Sequence, residues 1–453
     1  MSSNSQLVGV IKAIHINNKE RKDPTMAILK TVFAENYASF ADRVEFTCES
    51  AGNKKDHSIN TVLTGDTELN LVSYIYGANG SGKSYFCRIF QEIKQTIALS
   101  SISTPIPQNS SPFKNKYQPN IQPRIFAFDT AYANIPTKFG LELILNDTLY
   151  HYEFSVFKNE IINELLQKKK RRTETILRRT SPDYKDIELK SELKNFNTLK
   201  YSVRKDALCL AIAASLNNPF AIEMLNAIWK LNIFNMATQL LDPPTIAELF
   251  SKDKVKKYTQ ILRHADPTLE KIEVKYLEEK LQKESSSEDF ENRDIIENHV
   301  KVAVKTEHSL YTNGKETKKT TNKIRFFEDE SLGTVKLFTT LPYLFDVLEK
   351  GDVLILDEIE NGLHPNVVKE IINLFLDKKQ NPHQAQLICT THQPLLLYDT
   401  VVKRDQVWVI SKNKCGKSTI ARLSEEPSTR SQSNLSNKII EGALGCNPKQ
   451  FFS

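Results

Sequence analysis

Residues 77–84 read GANGSGKS, and this string carries the most specific chemistry in the chain. Gly77, Gly82, Lys83 and Ser84 fill every fixed position of the pattern G-x-x-x-x-G-K-[ST]. Glycines let the backbone curl so that successive N–H groups face phosphate oxygens. A helix beginning at the end of the loop adds the partial positive charge of its N-terminus. Lys83 is then placed for the β- and γ-phosphates and Ser84 for Mg2+, with Asn79, Gly80 and Ser81 completing the cradle. The expected ligand is ATP with Mg2+. A second Gly-Lys-Ser, at 416–418, lacks the earlier glycine, because Ser411 stands at that position. It reads as a polar hairpin turn with no phosphate role.

Two further strings end apolar runs in polar groups. DVLILDE at 352–358 reads as a buried strand closing on Asp357 and Glu358. An aspartate there can hold Mg2+ through water, and the next carboxylate can polarise an attacking water. Glu358 is the expected general base and Asp357 the metal partner. QLICTTH at 386–392 ends on His392. That histidine either reaches the γ-phosphate or caps a strand end; spacing alone leaves both open.

The elements around these strings must place them. LVSYIY at 71–76 is a short strand feeding the loop, and Phe86, Ile89, Phe90 and Ile93 keep helical spacing after it. Two strands around a turn are expected over 27–48. Short alternating segments follow at 124–128, 139–145, 150–157, 161–167 and 174–178, separated by turn residues such as Asn146-Asp147 and Lys158-Asn159, as in an antiparallel meander. Residues 181–264 change to helical spacing, 283–293 read as an exposed loop, strands resume at 300–306, and 315–322 read as a polar turn. The expected organisation is a polar extension at 1–26, an N-terminal part of a split core at 27–180, a mostly helical insertion at 181–299, and the C-terminal part of the core at 300–453.

Composition narrows the class. The 453 residues are 40% hydrophobic and 26% charged, an ordinary globular balance. No apolar run approaches the roughly 20 residues needed to cross a membrane, and the N-terminus lacks a secretory pattern. The six cysteines are scattered without a Cys-x-x-Cys pair. A cytoplasmic location with no membrane partner is expected. The net charge of +6 permits nucleic-acid contact without demanding it. KKKRR at 168–172 is the densest basic run; it suits either a phosphate backbone or a solvated turn.

In this order the motifs resemble the ABC-type ATPase head of the SMC/OLD-like group, including ATPases of abortive-infection and other bacterial phage-defence systems. Five strings carry the resemblance: ENYASF at 35–40; the loop 77–84 as Walker A; DESLGTVKLF at 329–338 in the place of the ABC signature; LDEIENGLHP at 356–365 as Walker B and D-loop; and TTHQPLL at 390–396 with His392 as the switch histidine. Ala38 stands where that group carries arginine. The resemblance implies an α/β fold, a P-loop core with an antiparallel β-subdomain. It further implies two subunits that sandwich ATP, Ser331 and Gly333 of one completing the other's site, with His364 near that interface. Homodimers or larger homo-oligomers would follow.

After His392 the chain reads as one strand–turn–strand, 407–422, with no separate nuclease domain of the OLD type. The expected role is therefore an ATPase that senses for, regulates or scaffolds a separate effector, a nuclease, in phage defence. Rival readings are an SMC-like DNA-repair ATPase, a transporter subunit, and an enzyme that itself processes nucleic acid.

Overall fold

The computed structural model describes residues 27–51, 60–102, 121–236, 252–278, 300–321, 323–398 and 402–425. The expected extension at 1–26 and the exposed loop at 283–293 lie outside the described residues, as do 103–120.

The chain opens with β1 (Ala27–Glu35) and β2 (Val44–Thr47), then a small hairpin, β3 (Thr61–Thr64) and β4 (Thr67–Asn70). Strand β5 (Val72–Tyr76) runs through the loop into helix α1 (Lys83–Ile102). A meander follows: β6 (Thr137–Leu145), β7 (Thr148–Phe157), β8 (Glu160–Lys169), β9 (Thr173–Arg179) and β10 (Ile187–Leu189). Then come α2 (Cys209–Ser215), α3 (Pro219–Trp229), β11 (Leu231–Asn235), α4 (Lys252–Ala265), β12 (Leu269–Glu278), β13 (Val300–Thr312) and β14 (Lys315–Thr321). The last elements are α5 (Leu332–Lys350), β15 (Val353–Asp357), α6 (Pro365–Leu376), β16 (Gln386–Thr390), β17 (Val407–Lys412) and β18 (Ser418–Arg422). No helix among the described residues is long and apolar enough to cross a membrane.

Two compact units emerge. The larger holds two large sheets and the β3–β4 hairpin. Its seven-stranded sheet, in the order β10-β9-β8-β7-β6-β1-β2, is antiparallel throughout. The turns are written in the sequence. Asn146 and Asp147, and Lys158 and Asn159, all take positive φ in two-residue connections; this primed geometry matches the twist of the flanking strands. The six-stranded sheet, β11-β15-β16-β5-β17-β18, is parallel except for β18. Every residue of β5, β15 and β16 is buried. Strands covered on both faces need continuous apolar runs rather than alternation, and these have them. Gln386 couples the sheets: its Oε1 accepts from the Leu29 N–H at 2.8 Å and its Nε2 donates to the Leu29 carbonyl at 3.0 Å. One buried amide thus acts as a strand partner for β1.

The smaller unit takes residues 238–346 and 362–364. It carries the antiparallel sheet β12-β13-β14, α4 and most of α5. Val255, Tyr258, Ile261 and Leu262 form the buried stripe of α4, and Tyr258 stacks on Phe345 with centroids 6.1 Å apart.

Three expectations need correcting. Residues 315–321 are strand β14; the turn is Asn313-Gly314, both at positive φ. Their lysines and threonines suit an exposed hairpin strand, and polarity alone hid it. Residues 124–128 form no strand. The chain also divides elsewhere than at 181 and 300: β11 pairs in parallel with β15 and so belongs to the larger unit, and the smaller unit carries a three-stranded sheet beside its helices.

Candidate functional site

Parallel strands point their carboxyl ends the same way, and ligands gather at that edge of an α/β sheet. Here β5 ends in the phosphate loop, β15 in Asp357 and β16 in Thr390. The loop is shaped by contact as well as by motif. A Cβ on Gly77 would lie 2.4 Å from the Ile410 carbonyl oxygen of β17 and 2.5 Å from Ser81 Oγ. Gly82 has φ +119°, and its Cβ would meet the hydroxyls of Ser39 and Ser418 at 2.8 and 3.0 Å. Ser418 Oγ donates to the Ser81 carbonyl at 2.5 Å, and the Ser418 N–H to the Ser39 carbonyl at 2.8 Å. Asn79 and Gly80 form the exposed tip, while Ser81, Gly82 and Lys83 are buried at its base.

Lys83 opens α1 and folds its ammonium back onto the loop, donating to the carbonyls of Gly77 at 2.9 Å and Ala78 at 3.1 Å. Burial pulls its pKa below the usual lysine range; the charges of Asp357, Glu358 and Glu360 oppose that shift. Ser84 follows in the first turn of α1, half-buried.

The carboxylates are held by their neighbours. Asp357 accepts from Thr390 Oγ1 at 2.7 Å and from Asn235 Nδ2 at 2.9 Å. Cys87, one turn into α1, lies against the same carboxylate, and burial first and Asp357 second push its thiol far above its ordinary pKa. Glu358 has φ +57°, a left-handed backbone that costs a non-glycine residue free energy. Its N–H donates to Thr390 Oγ1 at 2.8 Å, and its carboxylate accepts from Asn361 Nδ2 at 3.1 Å. Thr390 therefore grips both acidic residues with one hydroxyl.

His392 follows directly on this strand end. Its N–H donates to Glu360 Oε1 at 2.5 Å. The residue is exposed overall, yet desolvation of the ring, and then the charge of Lys83, hold its pKa below the ordinary histidine value. Residues 77–84, Asp357, Glu358 and His392 thus share one edge of one sheet. Ser331 and Gly333 belong to the smaller unit. There Ser331 Oγ accepts from the Thr334 N–H at 3.1 Å and so caps α5. A Cβ on Gly333 would lie 3.1 Å from the Gly362 carbonyl oxygen. His364 is exposed.

Sequence reasoning missed Asn235, Thr390 and Ser418 as supports of the site. Asn235 ends an LNIFN run that helical spacing around it concealed. Thr390 sits where DVLILDE and QLICT, two short apolar strands ending alike, would align in parallel. Ser418 lay in the dismissed Gly-Lys-Ser.

A protein-family model described as "AAA domain, putative AbiEii toxin, Type IV TA system" matches residues 72–397, well over half of the chain. No curated protein matches significantly. Among solved structures, the SMC head domain from Thermotoga maritima matches at 13% identity over 87% of this chain and 98% of that one, with a TM-score of 0.33. The family match starts at the first residue of β5, spans the phosphate loop and the Asp357 strand, and ends just after β16: the chain belongs to this AAA-domain family and has the fold of a P-loop ATPase.

Proposed function

We propose that the chain binds ATP with Mg2+ at residues 77–84 and hydrolyses it with Asp357 and Glu358. The observation that carries this reading is the Thr390 hydroxyl, which joins the two acidic residues at the strand end beside the phosphate loop. The residues present fit the ligand. Lys83 is a buried cation whose own partners are neutral loop carbonyls, so a phosphate can take their place. Ser81 Oγ is buried without a hydrogen-bond partner at the same loop. Bound ATP and Mg2+ would supply the phosphoanhydride and the cation that neutralises its charge. Lys83 would face the β- and γ-phosphates and Ser84 would present its hydroxyl to the metal. Asp357, its geometry fixed by Asn235 and Thr390, would hold the metal through water. Glu358 would accept the proton of the attacking water, and His392 would serve the γ-phosphate. Glu358→Gln should keep ATP binding and lose turnover by ~10²–10⁴-fold, the usual range for general-base help. Unchanged turnover would remove Glu358 from this role.

The assembly reading rests on the N-terminus of α5. Ser331 and Leu332 are exposed there, Leu332 by 61%, beside Gly333. A helix N-terminus with small residues suits a phosphate carried by a second subunit. We place the biological role in phage defence, with a separate effector, a nuclease, under control of this ATPase in the cytoplasm. The resemblance of the motifs supports this, as does the toxin–antitoxin wording of the family description. Co-purification with the products of flanking genes tests it: a nuclease partner supports the reading, and membrane permeases overturn it.

A further inference from the structure

An aromatic ring stands exposed on the turn that braces the phosphate loop. Phe128 is 68% exposed, among the most exposed large apolar side chains described. It is not a loose side chain. Phe126, itself buried, meets it edge-on with centroids 5.7 Å apart. The ring also lies against the turn between β17 and β18, where a Cβ on Gly416 would be 2.8 Å from Phe128 Cδ2. Lys412 Nζ is 5.3 Å from the ring centroid. The same turn is fastened to the phosphate loop two residues later, through Ser418 Oγ and the Ser81 carbonyl. Lys417 anchors its flank by donating to Tyr132 Oη at 2.7 Å.

A nucleotide held by its phosphates in this loop projects its ribose and base away from it. Gly416, against the ring, and Ser418, on the loop, are two residues apart, a span of at most ~7 Å. An exposed phenyl ring backed by the turn that braces the loop fits a flat heterocycle, and a neighbouring ammonium fits its electron-rich edge. We infer that Phe128, supported by the Gly416 turn, is the stacking surface for the purine base of the nucleotide held at residues 77–84. The inference rests on the nucleotide-binding reading and adds the residue that distinguishes a nucleotide from a bare polyphosphate.

The test titrates full-length protein with Mg-ATP and with Mg-triphosphate, for wild type, Phe128→Ala, Phe128→Trp and Lys83→Ala. Phe128→Ala should weaken ATP about ten-fold, the usual scale for losing one stacked base, and leave triphosphate unchanged. Phe128→Trp should restore ATP affinity, with indole fluorescence quenched by ATP and not by triphosphate. Cys415, exposed in the same turn, should react more slowly with a maleimide when ATP is bound, measured in a Cys446→Ser background. Equal loss of ATP and triphosphate in Phe128→Ala would overturn the stacking role. So would wild-type ATP affinity in Phe128→Ala while Lys83→Ala abolishes binding, a result that leaves the phosphate loop intact. ATP affinity preserved in Lys83→Ala would overturn the loop reading and this inference with it.

Discussion

Thr390→Val isolates the hydroxyl that the acidic pair shares. The change conserves shape and removes one donor–acceptor group. Two bonds are lost: the 2.7 Å donation to the Asp357 carboxylate and the 2.8 Å bond accepted from the Glu358 N–H. A hydrogen bond to a charged group contributes about 1.5–3 kcal/mol, and an unsatisfied buried N–H costs about 1–3 kcal/mol. Asn235 still holds one Asp357 oxygen, so the sum should fall short of both maxima, at ~2.5–4 kcal/mol. Catalysis should suffer separately. The left-handed turn at Glu358 loses its anchor, and a displacement of about 1 Å can cost ~10²-fold in rate. Urea unfolding should show a lower midpoint at constant slope, and steady-state ATPase assays a fall in kcat with little change in KM for ATP. Thr390→Ser keeps the hydroxyl and should recover most of both. Wild-type stability and turnover in Thr390→Val, or a Thr390→Ser variant as damaged as the valine, would refute the bridging role.

A chain carrying Lys83→Ala mixed with one carrying Gly333→Asp should regain part of the ATPase activity that each lacks alone, because one composite site per mixed dimer stays whole; confirmed mixing without recovery would count against shared sites. At the β8–β9 turn, Lys169, Lys170, Arg171 and Arg172 are exposed, whereas Lys168 is paired with Glu192 at 2.7 Å and Glu174 at 3.2 Å. Up to four phosphate contacts predict weak nucleic-acid binding with a log–log salt slope on the order of −3 and no cutting; cleavage by purified protein that survives Lys83→Ala would make the chain a nuclease instead. His151 lies between Glu142 and Glu153, whose hydrogen bonds raise its pKa to about 9 against the ordinary 6.5. A raised folded-state pKa means this contribution to stability is full below pH 6.5 and lost as pH rises through about 9, so His151→Gln should flatten the wild-type decline of the urea midpoint across that window; an unchanged profile would discount the pairing.

The phosphate loop, the three buried parallel strands and the meander were legible because each depends on local rules. Gly77 and Gly82 are required by the motif and again by contacts with β17 and β18. The turns at Asn146-Asp147 and Lys158-Asn159 announce themselves by residue type. What escaped was decided by partners distant in sequence. Asn235 meets Asp357 only because β11 pairs with β15, and nothing in residues 231–235 encodes that pairing. Ser418 touches the loop across 337 positions of chain. The hairpin β13–β14 was hidden for another reason: an exposed strand rich in Lys and Thr lacks the apolar alternation that marks a half-buried one.

Under the general-base role proposed for Glu358, its backbone sets durability against turnover. At φ +57° a glycine would sit without the strain that glutamate bears, on the order of 1 kcal/mol or more. Glu358→Gly should therefore melt at a higher temperature than the wild type while losing catalysis; a lower melting point would show that the carboxylate bond to Asn361 outweighs the strain. A laboratory selection that rewarded heat resistance alone would be drawn toward this position and would silence the protein there. Any thermostabilised version intended to keep working must be screened on phosphate release from its first round, with codon 358 held fixed.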